Sequence, residues 1–186
     1  MNITGDIIVG LFTLLGAIIG VFFTYRYNLK IEEKHKEYQI NAILQSIYEE
    51  ISVTWDRYLQ MAGELLKNLK EDQVLIFYDI FDSQDFVVYN TNAYLIGQIK
   101  DSNLRKNIVK FYTLSKGFSN TIIYTNKINL KYQDYLTQNF NNHVTIVDNT
   151  YKNYLSGFMK ELKVQHNQLE CTFKNLKDLL ENHEKL

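Results

Sequence analysis

The side chains able to do chemistry in this chain are few and scattered. Histidine occurs at His35, His143, His166 and His183, and the one cysteine is Cys171. None of the histidines stands in an H-E-x-x-H, H-x-x-x-H or C-x-x-C spacing, which would bring ligands to one helix face or one loop, so no metal site is expected. A lone cysteine excludes an intramolecular disulfide. At its core-like helical position, Cys171 is expected to be a small buried hydrophobe. His166 lies one turn before Glu170, a spacing that predicts a surface pair. Asp79, Asp82 and Asp85 cluster between apolar residues, but no histidine or further carboxylate falls at ligand spacing, which favours a polar loop. No glycine-rich phosphate loop and no G-x-S-x-G elbow occurs. The expectation is a protein that is not an enzyme and needs no cofactor and no metal.

One patch is a candidate for binding. Arg105 and Lys116 are eleven residues apart, three helical turns, and so share one face of the helix predicted there, with Tyr112 between them. The three together are a candidate ligand or partner patch, and convergence of the two cations in a pocket is what a small anionic ligand would require. The commoner fate of such a face is solvation or pairing with acids on a neighbouring helix.

The elements that must position these residues begin with a greasy run. Ile7 to Tyr25, IIVGLFTLLGAIIGVFFTY, is 19 residues without charge or proline. About 20 apolar residues cross a bilayer as a helix, and a run that is apolar all round suits lipid better than a core, where a polar face is normal. The first six residues carry no Lys or Arg and no small-residue cleavage pattern follows, which argues against a cleaved signal peptide. Asp6 precedes the run, whereas Arg26, Lys30, Lys34 and Lys36 follow it. Basic flanks stay in the cytoplasm. The expected location is therefore the inner (cytoplasmic) membrane, single-pass, with residues 1–6 extracytoplasmic, 7–25 transmembrane, 26–39 a charged helical stalk and 40–186 a cytoplasmic helical bundle. The bilayer is the first expected partner. Gly10, Thr13, Ala17, Gly20 and Thr24 form a small-residue stripe, and Gly16 with Gly20 adds a G-x-x-x-G. Small residues let transmembrane backbones approach, so a homo-oligomer is expected, although glycine is also simply frequent in spanning helices.

The remaining chain reads as all-α. Net charge is -1, so no bulk electrostatic attraction draws nucleic acid. There is no proline, which fits long helices. Apolar residues at Ile43, Ile47, Ile51, Trp55, Tyr58, Ala62, Leu65 and Leu69 make one helix face. Gln73 to Phe81 is densely apolar and too short for periodicity to decide; a short buried helix is expected, with a strand as the alternative. Phe86 to Val88 reads as extended. Asn90, Thr91 and Asn92 are candidate N-caps for a short helix near Ala93–Ile99, and Asp101-Ser102-Asn103 caps a longer one running to about Gln138. That helix carries Leu104, Ile108, Phe111, Ser115, Phe118 and Ile122 on one face, and Gly117 is its weak point. Asn139 to His143 reads as a turn. Val144, Val147, Tyr151, Tyr154, Phe158, Leu162, Gln165, Leu169, Phe173, Leu176 and Leu180 then keep a three-four rhythm over about five heptads. Two long helices joined by a short turn predict an antiparallel C-terminal hairpin, coiled-coil-like, within the bundle.

The stretch DFVVYNTNAYLIGQIKDSNLRKNIVKFYTLSKG, residues 85–117, resembles a pattern in small bacterial and phage-borne membrane-anchored helical proteins of uncharacterised function. The matching positions include Tyr89, Asn90, Asn92, Ala93, Leu95, Ile96, Gly97, Ile99, Leu104, Arg105, Ile108, Val109, Tyr112, Lys116 and Gly117. The resemblance covers about a fifth of the chain and the overall layout. It implies one N-terminal span with a cytoplasmic helical domain, and a genetic setting near phage-defence systems; it implies no catalytic residue. Two functions from different classes are thus expected: a membrane-anchored, self-associating interaction or effector protein with a protein partner at its cytoplasmic domain, and a membrane-tethered sensor of a small anionic ligand.

Overall fold

The structure is a computed structural model that describes residues 3–70, 75–77, 81, 83–138 and 145–183. Among the described residues every regular element is helical and no strand occurs. Helix α1 runs Ile3–Tyr58, a π-helical turn follows at Leu59–Gly63, and α2 is Glu64–Lys67. A 3-10 turn at Ser83–Phe86 leads into α3, Val87–Thr91, and α4, Ala93–Ile96; α5 is Ser102–Gln138 and α6 is Thr145–His183. The chain divides into two compact units, Met1–Ala42 and Ile43–Leu186.

In the first unit α1 is a long apolar helix that continues without a break through the charged segment after Tyr25. By length and composition it is the one helix, among the described residues, able to cross a membrane. Its large side chains from Phe12 to Phe23 are all exposed, from 52% for Leu15 to 71% for Phe12. Beyond them the helix is held by its own turns: Lys36 pairs with Glu32 at 3.0 Å, the i,i+4 arrangement that supports a polar helix.

The second unit has its own core. Residues Ile47, Ile51, Trp55 and Tyr58 of α1 are buried, as are Leu104, Ile108, Phe111, Ser115, Phe118 and Ile122 of α5 and Leu162, Leu169, Phe173, Leu176 and Leu180 of α6. Helices α5 and α6 make the most extensive pairing. Along it residue numbers rise on one helix as they fall on the other: Phe111 meets Phe173 at 6.2 Å between ring centroids, Tyr124 meets Phe158 at 5.3 Å, and Tyr132 meets Tyr151 at 5.4 Å. The Trp55 ring of α1 stacks on Phe173 at 4.6 Å, and Tyr58 meets Phe118 edge-on at 5.4 Å, so one aromatic layer ties three helices together.

Several local expectations are corrected. Leu65 is 53% exposed and Leu66 is fully buried instead. The π-helical turn just before them carries one residue more per turn than an α-helix, so the inward face moves on by one position. In α6, Tyr154 is 60% exposed, while Leu155, Met159 and His166 point inward with Leu162 and Leu169. Both sets keep a three-four spacing through Leu162; tyrosine carries a polar tip and tolerates the water side. Cys171 is exposed rather than buried, one turn from Asn175. Val87 and Val88 are helical, not extended, because the Glu50 carboxylate holds the first amides of α3. Asn92 does not cap α4; its amide donates back to the Val88 carbonyl at 2.8 Å and closes the end of α3. Of Gln73–Phe81, residues 75–77 have no regular structure, against the expected helix. Gln73, Val74, Tyr78 to Ile80, Asp82, the 139–143 turn and Val144 lie outside the described residues, and so does the side chain of Val147. The Asp101 cap is present as expected: its carboxylate accepts from the amides of Asn103 at 2.8 Å and Leu104 at 3.1 Å. Gly97 ends α4 in a right-handed conformation, its amide bonded to Ala93 O at 3.2 Å.

Candidate functional site

The charge-bearing centre of the second unit is Glu50, half-buried on α1. One carboxylate oxygen accepts from the amide of Val88 at 2.6 Å; the other accepts from the Tyr112 hydroxyl at 2.6 Å and from the amide of Tyr89 at 3.4 Å. An anion at the start of α3 satisfies amides that have no partner within the helix. One side chain thereby joins α1, α3 and α5. The Tyr112 phenol is pushed well above the ordinary tyrosine value, first by burial and then by the carboxylate it donates to. It stays protonated and remains a donor. Tyr89 stacks on Tyr112 with ring centroids 4.0 Å apart, and Phe86 meets Tyr112 edge-on at 5.1 Å.

This aromatic group forms one end of a cleft of about 470 Å³. Phe81, Phe86, Tyr89 and Asn90 line one side, and Tyr112, Thr113, Lys116, Ser119, Asn120 and Ile123 of α5 the other. Of the candidate patch, Tyr112 and Lys116 are brought into this one cleft. Arg105 is not: its guanidinium donates to the Ile99 carbonyl, fastening the α4–α5 connection. Of the two cations on one predicted face, Arg105 is drawn away by the Ile99 carbonyl, while Lys116 lines the cleft. Asp85 forms an ion pair with Arg57, and Asp79 and Asp82 lie outside the described residues.

A second polar feature sits inside the core. His166 is 2% exposed, which corrects the expected surface pair with Glu170; the partner of Glu170 is Lys174 at 2.8 Å. The Nδ1 of His166 and the Tyr58 hydroxyl lie 2.5 Å apart. Burial holds the histidine below its ordinary value; the Glu170 charge opposes this and Lys67 adds to it. With the ring neutral and protonated on Nε2, the phenol donates to Nδ1. Burial, with Glu170 second, raises the Tyr58 phenol, so it keeps its proton. Among the described residues no three His, Cys, Asp or Glu side chains could hold one metal ion.

On α1, Gly10, Thr13, Gly16, Ala17, Gly20 and Thr24 lie along an exposed helix. A Cβ added at Gly10, Gly16 or Gly20 meets nothing within 4 Å, and Thr24 donates to the Gly20 carbonyl at 2.8 Å. Sequence reasoning missed Glu50, whose partners are 38 to 62 residues away and which nothing local distinguishes from Glu49. Comparison with family models, with curated proteins and with solved structures finds no match.

Proposed function

We propose that this chain is a membrane-anchored, self-associating interaction or effector protein. The observation that carries the reading is the exposed apolar helix from Phe12 onward, long and apolar enough to span a bilayer. Apolar surface costs about 25 cal/mol per Å² in water, and lipid relieves that cost along the whole circumference. Asp6 before the helix and Arg26, Lys30, Lys34 and Lys36 after it favour a short extracytoplasmic N-terminus at the inner membrane, with residues 26–186 in the cytoplasm. The open stripe at Gly16 and Gly20 supports association between copies. We read the second unit as a helical bundle with an antiparallel α5–α6 hairpin, on the order of its ring pairs, and as the part that meets a protein partner. In the concrete effector form, a triggered assembly perturbs the membrane; the phage-defence setting rests on the resemblance in residues 85–117 alone.

Extraction and labelling test the anchor. Full-length protein is expected to stay with membranes in alkaline carbonate, whereas a Leu14→Arg/Ile18→Arg variant is released. Release of the unaltered chain would sink the span. Cys171, exposed and the only thiol, reports the orientation: a membrane-impermeant maleimide should label it only after permeabilisation. Labelling in intact spheroplasts would invert the topology.

A second reading has its own observation. Arg105 and Lys116 do not converge, so the two-cation form of the sensor falls; Tyr112 and Lys116 line one cleft, which supports a membrane-tethered sensor whose small anionic ligand meets a single cation.

A further inference from the structure

We propose that the cleft between α5 and Phe81, Phe86, Tyr89 and Asn90 binds a small planar aromatic ligand carrying one anionic group, a carboxylate or a phosphate ester. The proposal deepens the sensor reading and rests on it. The volume, about 470 Å³, lies in the range of small-molecule sites. The aromatic end is built before any ligand arrives. Tyr112 is buried, Tyr89 lies flat on it, Phe86 stands against its edge, and Glu50 fixes both the Tyr112 hydroxyl and the start of the helix that carries Tyr89. Such a wall favours a flat ring, which stacks or meets it edge-on.

The polar rim selects the charge. Asn90, Thr113, Lys116 and Asn120 line the cleft, and among the described residues none of their four side chains has a hydrogen-bond or ion-pair partner. Ser119 is the contrast, since its hydroxyl is spent on the Phe81 carbonyl at 2.8 Å. Among the described residues lining the cleft, Lys116 is the only charged one. An acid three or four positions away pairs with a lysine on a helix surface; here those positions are Tyr112, Thr113, Ser119 and Asn120. Among the described residues, then, no acid compensates the ammonium, which shares the cleft with an aromatic wall, two amides and a hydroxyl. An anionic group would meet the ammonium in a charge-assisted hydrogen bond.

The test uses the full chain in lipid nanodiscs, with empty nanodiscs as the blank, and two probes of one shape: 2-naphthoate and uncharged 2-naphthalenemethanol. Equilibrium dialysis is expected to show saturable binding of 2-naphthoate. Lys116→Met should raise its Kd about tenfold or more, the worth of one hydrogen bond to a charged group. Lys116→Arg should largely restore it, and Lys110→Met, an exposed lysine of α5 outside the cleft, should leave it unchanged. Binding of 2-naphthalenemethanol should be insensitive to Lys116→Met. No saturable binding of 2-naphthoate, or equal losses in Lys116→Met and Lys110→Met, would overturn the proposal. Thermal melts of each variant separate lost binding from lost fold. A chain that stays in carbonate-washed membranes but ignores 2-naphthoate loses the ligand site alone; a chain released by carbonate loses the anchor whatever the dialysis reads.

Discussion

His166 is the residue whose environment makes the sharpest solution prediction. It is buried and neutral, with its ring held by the Tyr58 hydroxyl. Its pKa in the folded chain is below the ordinary 6.5, chiefly through burial. Between 6.5 and that lower value the unfolded chain binds a proton that the folded chain refuses, so stability rises with pH there. The contribution is complete above 6.5 and is lost as pH falls through the folded value. Urea midpoints of the unaltered chain should therefore drop from pH 7 to pH 5. His166→Gln keeps a partner for Tyr58 without the titration, and should show a flatter pH dependence over that range. An identical slope in both proteins would assign it to other groups. Removing the partner altogether, as in His166→Ala, should cost about 1–3 kcal/mol at pH 7, the usual penalty for an orphaned buried donor plus lost packing.

At the scale of elements, register is what packing decided. The π-helical turn at Leu59–Gly63 shifts the inward face, so Leu66 rather than Leu65 enters the core. Leu66→Ala should destabilise by about 2–5 kcal/mol, whereas Leu65→Ala should change little. The same pairing applies to α6: Leu155→Ala is expected to be severe and Tyr154→Ala mild, because Leu155 is 1% and Tyr154 60% exposed. Equal penalties within either pair, read as denaturant midpoints, would contradict the register. Glycine at 117 does not interrupt α5; a Cβ there meets nothing within 4 Å, so the helix runs through it on the strength of the flanking buried Ser115 and Phe118.

For the whole molecule the question is whether copies assemble through the apolar helix. Because a Cβ at Gly16 or Gly20 meets nothing within 4 Å, Gly16→Ile and Gly20→Ile test contacts between chains. The expected outcome is a smaller particle in mild detergent for both variants. An unchanged size would remove the stripe from the interface. If assembly also perturbs the membrane, a potential-sensitive dye should report depolarisation on expression of the full chain and not of Gly20→Ile. Depolarisation that persists in Gly20→Ile would separate membrane perturbation from this contact.

Sequence alone determined the helical class, the apolar helix and the extent of α5, because composition, absence of proline and three-four periodicity are local properties. The Asp101 cap was legible for the same reason, as its partners are two and three residues away. Three features were not legible. The burial of Leu66 rather than Leu65, between the expected Ala62 and Leu69, follows a π-helical turn that no residue type announces. His166 is inside because a phenol 108 residues earlier in the chain supplies its partner. Arg105 and Lys116 share a predicted face, yet one is tied to the Ile99 carbonyl and the other opens on the cleft. Periodicity says which positions are able to face a core. Which of two adjacent stripes does so, and which polar groups are satisfied there, is settled only when distant segments meet, because the cost of an unpaired buried group falls on the assembled structure.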